Sequence, residues 1–320
     1  MSDSADEGPQ LERVRTREAV RERLRAARSG GGTVGFVPTM GALHAGHISL
    51  VEQAREDCDH VIASLFVNPA QFDRPEDLEA YPRDEEGDCA LLAAAGCDTV
   101  WIGTTPDLYP ADFSTRVIPE GTLVQGLCGA TRPGHFAGVT TIVTKLFNTV
   151  APDRAYFGEK DFQQLAIIRR MVRDLDMPVV VVPGPTVREA DGLAMSSRNR
   201  NLGAAGRERA RALSAGLRAA SLAWRRGERE AERLLEEARQ IIAPAVDRID
   251  YLELVDGDSL VPVTGSVDEA AVLAVAAFVD GVRLIDNHPP ARAFPAAGAT
   301  SEAGPGRAAG EAPRGSVPHG

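Results

Sequence analysis

This chain of 320 residues predicts a doubly wound α/β fold built on a parallel sheet. Three observations predict it. Short apolar runs alternate with helix-period stretches as far as Pro185. The runs are continuously apolar rather than alternating, as strands covered by helices on both faces should be. The residues with chemical character fall directly after those runs, where such sheets bind ligands.

The elements follow in order. A charged amphipathic helix is expected over 11–28, stopped by Ser29-Gly30-Gly31-Gly32. A strand at 33–37, a glycine-bearing turn and a helix from near 48 to about 58 come next. A second strand at 61–67 is closed by Asn68-Pro69. Helix 84–95 leads to strand 99–102, helix 138–150 to strand 154–157, and helix 161–175 to strand 179–182. Past Pro185 two helix-period stretches, 204–225 and 228–242, precede strands at 250–255 and 272–278. The expected organisation is a Rossmann-like nucleotide- and substrate-binding domain over 1–185 and a smaller α+β lid domain over 186–287. A tail over 288–320, rich in Ala, Gly and Pro, is expected to be disordered.

Composition narrows the partners. Lys plus Arg is 35 against 46 Asp plus Glu, a net charge of −11, with 5% aromatics and no clustered basic stripe. That argues against a nucleic-acid surface. Apolar runs such as Val179-Val180-Val181-Val182 are far too short to span a bilayer, and the acidic start Met1-Ser2-Asp3-Ser4-Ala5-Asp6-Glu7 does not read as a signal peptide. Cys58, Cys89, Cys97 and Cys128 form no C-x-x-C pair and read as buried, reduced thiols of a cytoplasmic protein.

The most informative run is Val37-Pro38-Thr39-Met40-Gly41-Ala42-Leu43-His44-Ala45-Gly46-His47. A strand, a turn and a helix N-terminus together offer free backbone N–H groups and the positive end of the helix dipole to an anion. His44 and His47 add imidazole donors on one side, and Gly46 leaves the backbone open to a nucleotide. The other four histidines are scattered. Lys145 and Lys160 are the only lysines in a chain that otherwise uses arginine. A retained lysine points to a need for a compact ammonium charge. Lys160 follows a strand, in Phe157-Gly158-Glu159-Lys160-Asp161, as a phosphate ligand should; Lys145, inside an apolar helix pattern, reads equally as a solvated helix-face charge. Met195-Ser196-Ser197-Arg198-Asn199 supplies hydroxyls and a guanidinium for polyphosphate oxygens, or forms an ordinary helix-capping turn.

Pro38 to His47, Phe66-Val67-Asn68-Pro69-Ala70-Gln71-Phe72, Arg132-Pro133-Gly134-His135-Phe136, Phe157 to Gln164, Met195-Ser196-Ser197-Arg198-Asn199 and the late Arg283-Leu284-Ile285-Asp286-Asn287, in that order, resemble the pantothenate synthetase family. The resemblance covers about 11–287. It implies ATP-dependent joining of pantoate to β-alanine through a pantoyl adenylate, releasing AMP and pyrophosphate. It also implies catalytic roles for His44, His47 and Lys160, with His47 the stronger proton donor. Met40, Gly41, Ala42, Leu43, His44, Ala45, Gly46 and His47 would line the ATP pocket. Gly158, Glu159, Lys160, Asp161, Val187, Met195, Ser196, Ser197 and Arg198 would complete it. Gln71 and Gln164 resemble the pantoate ligands, and Gln71 lies where β-alanine would enter. Magnesium would accompany ATP; Asp88 matches a metal contact or a solvated helix charge, and Cys89 stands where some relatives carry a second acid. A homodimer is a further implication. The rivals are an adenylyltransferase, which needs no amine site and gives no reason for paired glutamines, a small aminoacyl-tRNA ligase relative, disfavoured by the acidic charge, and a non-catalytic nucleotide-binding module.

Overall fold

The computed structural model describes residues 11–295. Six parallel strands form the main sheet in the order β1-β4-β3-β2-β5-β6. They are β1 (Glu12–Val14), β2 (Val34–Thr39), β3 (His60–Leu65), β4 (Thr99–Ile102), β5 (Arg154–Gly158) and β6 (Val180–Gly184). The chain winds outward from β2 to β3 and β4, then returns to lay β5 against the other side of β2. The order therefore reverses between β2 and β5, and the crevice beyond their carboxyl ends is where this architecture binds ligands.

The layers follow from strand alternation. Val34 and Phe36 of β2 enter a core with Trp101, Phe147 and Phe157. Val37 enters the core on the opposite face with Val51, Val61 and Tyr156. Helices α1 (Arg17–Arg28), α8 (His135–Val150) and α9 (Phe162–Asp174) serve the first face; α2 (Ala45–Asp57) and α4 (Glu85–Ala94) serve the second. Between them lie the short helices α3 (Pro75–Glu79), α5 (Thr105–Leu108), α6 (Thr122–Gln125) and α7 (Leu127–Thr131). A third core joins α10 (Ala204–Ala210), α11 (Ala212–Arg225) and α12 (Ala231–Ile242) to an antiparallel sheet of β7 (Arg248–Asp256), β8 (Ala271–Val279) and β9 (Val282–His288).

Several expectations are corrected. The first helix begins at Arg17 rather than residue 11: Thr16 accepts the Ala19 N–H as its cap, and Glu12–Val14 pairs with β4 as an edge strand. Three residues are too few to show a period. Helix α2 starts at Ala45 because His44 caps it. The stretch 204–225 is two helices meeting at Arg211. β9 went unread because Asp286, Asn287 and His288 hide its pattern. The tail does not begin at 288. His288 is buried in β9, and the Phe294 ring packs 4.7 Å from it. The rest of the expected tail, 296–320, lies outside the described residues.

Candidate active site

The turn after β2 is unusual in its backbone. Gly41 and Ala42 both have positive φ, 79° and 51°. A left-handed conformation costs a non-glycine residue about 1–2 kcal/mol, and a partner from α4 offsets it. The buried carboxylate of Asp88 accepts the N–H groups of Ala42 at 2.9 Å and Leu43 at 2.7 Å. A Cβ on Gly41 would lie 2.8 Å from the same carboxylate. Burial pushes the Asp88 carboxyl above its usual range, against the pull of those N–H groups. The metal contact expected at Asp88 gives way to a turn anchor. Both oxygens are taken by backbone, and among the described residues no group of three or more His, Cys, Asp or Glu could hold an ion.

Beyond the turn, His44 Nδ1 accepts the Gly46 N–H at 3.2 Å and caps α2. A backbone N–H can only donate, so the neutral His44 ring carries its hydrogen on Nε2. The His47 ring lies with its centroid 4.1 Å from that of His44. Burial holds both imidazoles neutral: His47 is lowered to about 3, helped by His44, and His44 to about 4, helped by Lys160. Among the described residues His47 Nδ1 is buried with no partner. Gly46 makes room for the histidine itself, for a Cβ there would stand 3.1 Å from the His44 ring.

On the far wall, Asn68 caps the turn Pro69–Gln71 and donates through Nδ2 to the Gln71 side-chain oxygen at 2.8 Å. The Gln71 carbonyl accepts from Arg132 at 3.1 Å and faces His135 Nδ1 at 2.7 Å. Arg132 also donates toward His135 Nε2 at 3.2 Å. Guanidinium cannot accept, so neutral His135 must carry its hydrogen on Nδ1 and donate it to Gln71. Burial and then Arg132 lower this imidazole to about 4. The loop sits hard against α8. A Cβ on Gly138 would fall 2.1 Å from the Ala70 carbonyl oxygen.

The third wall comes from β5 and the turn after it. Lys160 Nζ lies 3.7 Å from the Asp161 carboxylate. Desolvation raises the Asp161 carboxyl, but Lys160, Arg198, His47 and His135 outweigh it and leave it below the usual range. Opposite, Met195 N–H bonds the Val187 carbonyl at 3.0 Å, closing a small hairpin. Ser196 caps the following turn by accepting the Arg198 N–H at 3.2 Å. The capping reading of this segment is thus correct, and the segment faces the cleft as well. Tyr81 spans from the Gly41 carbonyl, 3.4 Å away, toward Ser197.

These walls surround one open cleft. The N–H groups of Gly46, His47 and Ile48 at the start of α2 are all taken up by His44, so the cleft is furnished by side chains: two neutral imidazoles, an ammonium group and two neutral amides. That set can grip a polyphosphate at one end and a small hydroxy acid at the other.

The family model of pantoate–β-alanine ligase matches residues 12–289. The chain is 50% identical to a pantothenate synthetase of Cereibacter sphaeroides, over 86% of this chain and 98% of that one. It is 52% identical to a pantothenate synthetase of Acidobacterium capsulatum, over 85% and 93%. The crystal structure of pantothenate synthetase from Thermus thermophilus superposes with a TM-score of 0.82 at 46% identity, covering 88% of this chain and 99% of that one. A Francisella tularensis pantoate–β-alanine ligase, solved with β-γ ATP and β-alanine, gives 0.74 at 32% identity, covering 88% and 98%. The chain belongs to the pantoate–β-alanine ligase family.

Of the positions expected in this ligase's site, Met40, His44, Gly46, His47, Gln71, Gly158, Lys160, Asp161, Gln164, Val187, Met195, Ser196, Ser197 and Arg198 line the cleft together. Gly41, Ala42, Leu43, Ala45 and Glu159 do not line it. The first three lie behind the turn with Asp88, and the Glu159 carboxylate faces Arg292 at 3.2 Å. Sequence reasoning gave no site role to Tyr81, Asn68 or the apolar side chains of α8, Val139, Ile142 and Val143. For Asn68 the signal was its place directly after the second expected strand, at the ligand end of the sheet, although that place carried no specific role. The α8 residues carry a core-like helical period, and only the fold shows that part of this stripe faces the cleft.

Proposed function

We propose that this ligase runs both halves of its reaction in the one cleft. A pantoate carboxylate oxygen attacks the α-phosphorus of ATP. The bond from that phosphorus to the bridging oxygen breaks, and pyrophosphate departs. The β-alanine nitrogen then attacks the acyl carbon of the mixed anhydride. The acyl carbon–oxygen bond breaks, AMP leaves, and the nitrogen gives up a proton. Activation is needed because a free carboxylate resists an amine.

His44 and His47 donate N–H groups to the reacting phosphates. Burial lowers both pKa values, so before ATP binds the two rings are neutral hydrogen-bond donors, and His47 takes its proton-donor role once ATP is bound. Polyphosphate would favour their protonated forms. Lys160 supplies a fixed positive charge, and Arg198 with Ser196 and Ser197 closes over departing pyrophosphate. Gln71 and Gln164 hold pantoate through neutral amides, which do not quench the carboxylate as an arginine clamp would. Gln71 also borders the β-alanine entrance. Closure keeps water from the adenylate.

Magnesium would arrive on the ATP phosphates. The residues present do not fit a resident ion, since Asp88 is committed to the turn and Cys89 beside it is buried. A cytoplasmic setting agrees with four free, buried cysteines, and no helix among the described residues is long and apolar enough to cross a membrane. The proposal includes a homodimer, in which Val180, 57% exposed on β6 at the end of the main sheet, is a residue that a second copy could cover.

The observation carrying this reading is the convergence of His44, His47, Lys160, Gln71 and Gln164 on one cleft. Its test is incubation with ATP, magnesium and pantoate, with and without β-alanine, following AMP and pantothenate. The two products should appear together only when β-alanine is present. Pyrophosphate release independent of pantoate would overturn it.

A further inference from the structure

Two adjacent residues of β9 reach two separate segments of the nucleotide side of the cleft. Asn287 pairs with Ala274, whose side chain enters the first domain's core; Asp286 pairs with Val275, which enters the core of the second. Neighbouring strand residues face opposite ways, so one dipeptide serves both sides of the sheet. Asn287 is buried, and its side-chain NH2 donates to the carbonyls of Glu159 at 3.0 Å and Lys160 at 2.9 Å. Asp286 receives both Arg188 nitrogens, at 2.7 and 3.0 Å. Arg188 directly follows Val187 of the cleft hairpin. Arg292, just beyond β9, holds the Glu159 carboxylate.

We infer that Asn287 is a positioning residue for Lys160. The carbonyls it binds stand on either side of the Lys160 Cα, so the amide fixes the backbone from which that long side chain leaves. Lysine is flexible and binds as a point charge, so its placement on a phosphate depends on where its stem begins. The ion pair of the ammonium with Asp161 is long at 3.7 Å and cannot aim it. Asn287 thereby acts on the phosphate end of ATP without touching it. The Asn287 amide has both hydrogens engaged and none left for a substrate.

This inference rests on Lys160 binding phosphate, as proposed above, and the test separates the two. Asn287→Ala should slow pantoate-dependent pyrophosphate release or raise KM for ATP by roughly ten- to a hundredfold. KM for β-alanine should stay within about twofold, since the Asn287 amide bonds only the backbone that carries Lys160. The presence of only two lysines gives a second readout. ATP should protect Lys160 from an amine-acylating reagent in the wild type and much less in the variant, with Lys145 as internal reference by mass spectrometry. Asn287→Ser, which keeps one donor, should fall between the two and carries the test if the alanine variant does not fold. A folded variant with wild-type ATP kinetics and protection, beside an impaired Lys160→Ala, would overturn the positioning role alone. Equal losses for all three substrates would also overturn it. An unimpaired Lys160→Ala would sink the phosphate role and this inference with it.

Discussion

The Asp88 carboxylate and the Leu43 N–H meet at 2.7 Å, joining the fourth helix to the turn that carries the histidines. Asp88→Asn would set an NH2 group against one of the two backbone N–H groups. It should cost about 1–3 kcal/mol of stability by urea unfolding and raise KM for ATP, while the magnesium concentration for half-maximal rate stays at the wild-type value. A variant defective only in magnesium dependence would restore the metal role.

Replacing His44 or His47 with alanine removes one donor from the reacting phosphates. Each should slow adenylate formation in single-turnover assays by roughly a hundredfold, equivalent to about 3 kcal/mol. His47→Ala also removes a buried ring nitrogen that has no partner among the described residues, so its melting temperature should hold near the wild-type value.

Lys160→Arg conserves charge yet should abolish adenylate formation with folding intact. A planar guanidinium cannot occupy the place of a compact ammonium beside Asp161. Turnover like that of wild type would show the lysine to be incidental.

Stability should fall on acidification, beginning near pH 6.5. His47 lies at about 3, and His44, His135 and His288 lie at about 4, against an ordinary value of 6.5. A lowered imidazole means that the unfolded chain binds more protons between the two values. The stabilising contribution is complete above 6.5 and is lost as pH drops toward 3–4. The slope is about 1.4 kcal/mol per pH unit for each such ring. Urea midpoints measured between pH 5 and 8 would read it, and a flat profile would contradict the burial of these rings.

Arg188→Met leaves Asp286 charged and unpaired where its side chain is 1% exposed. It should destabilise by about 3–5 kcal/mol, and adding Asp286→Leu should recover much of that loss. Calorimetry on both variants checks the pair.

Legibility tracked how local the signal was. Strands β2 to β5 announced themselves because both their faces are largely buried, β6 by its run of four valines, and every strand from Val34 to Gly184 was anticipated within a few residues. Three-residue β1 and the four- and five-residue helices carry too few positions for any period. Within the site, His44, His47 and Lys160 were readable from chemical type and place after a strand. Ala42, Leu43 and Glu159 were over-read, because membership of a motif does not say which way a residue turns. The roles of Asp88 and Asn287 depend on contacts across long stretches of chain, and no local pattern encodes those.

The close fit of Gly138 beneath the Ala70 carbonyl bears on redesign. Helix and loop are locked by backbone against backbone, so the loop carrying Gln71 cannot be repositioned by resizing a side chain at that point. An engineer wanting this ligase to accept a bulkier or slimmer acid is left with the lining residues themselves. Val139, Ile142 and Val143 can be trimmed or enlarged one at a time while the polar grip opposite stays where it is.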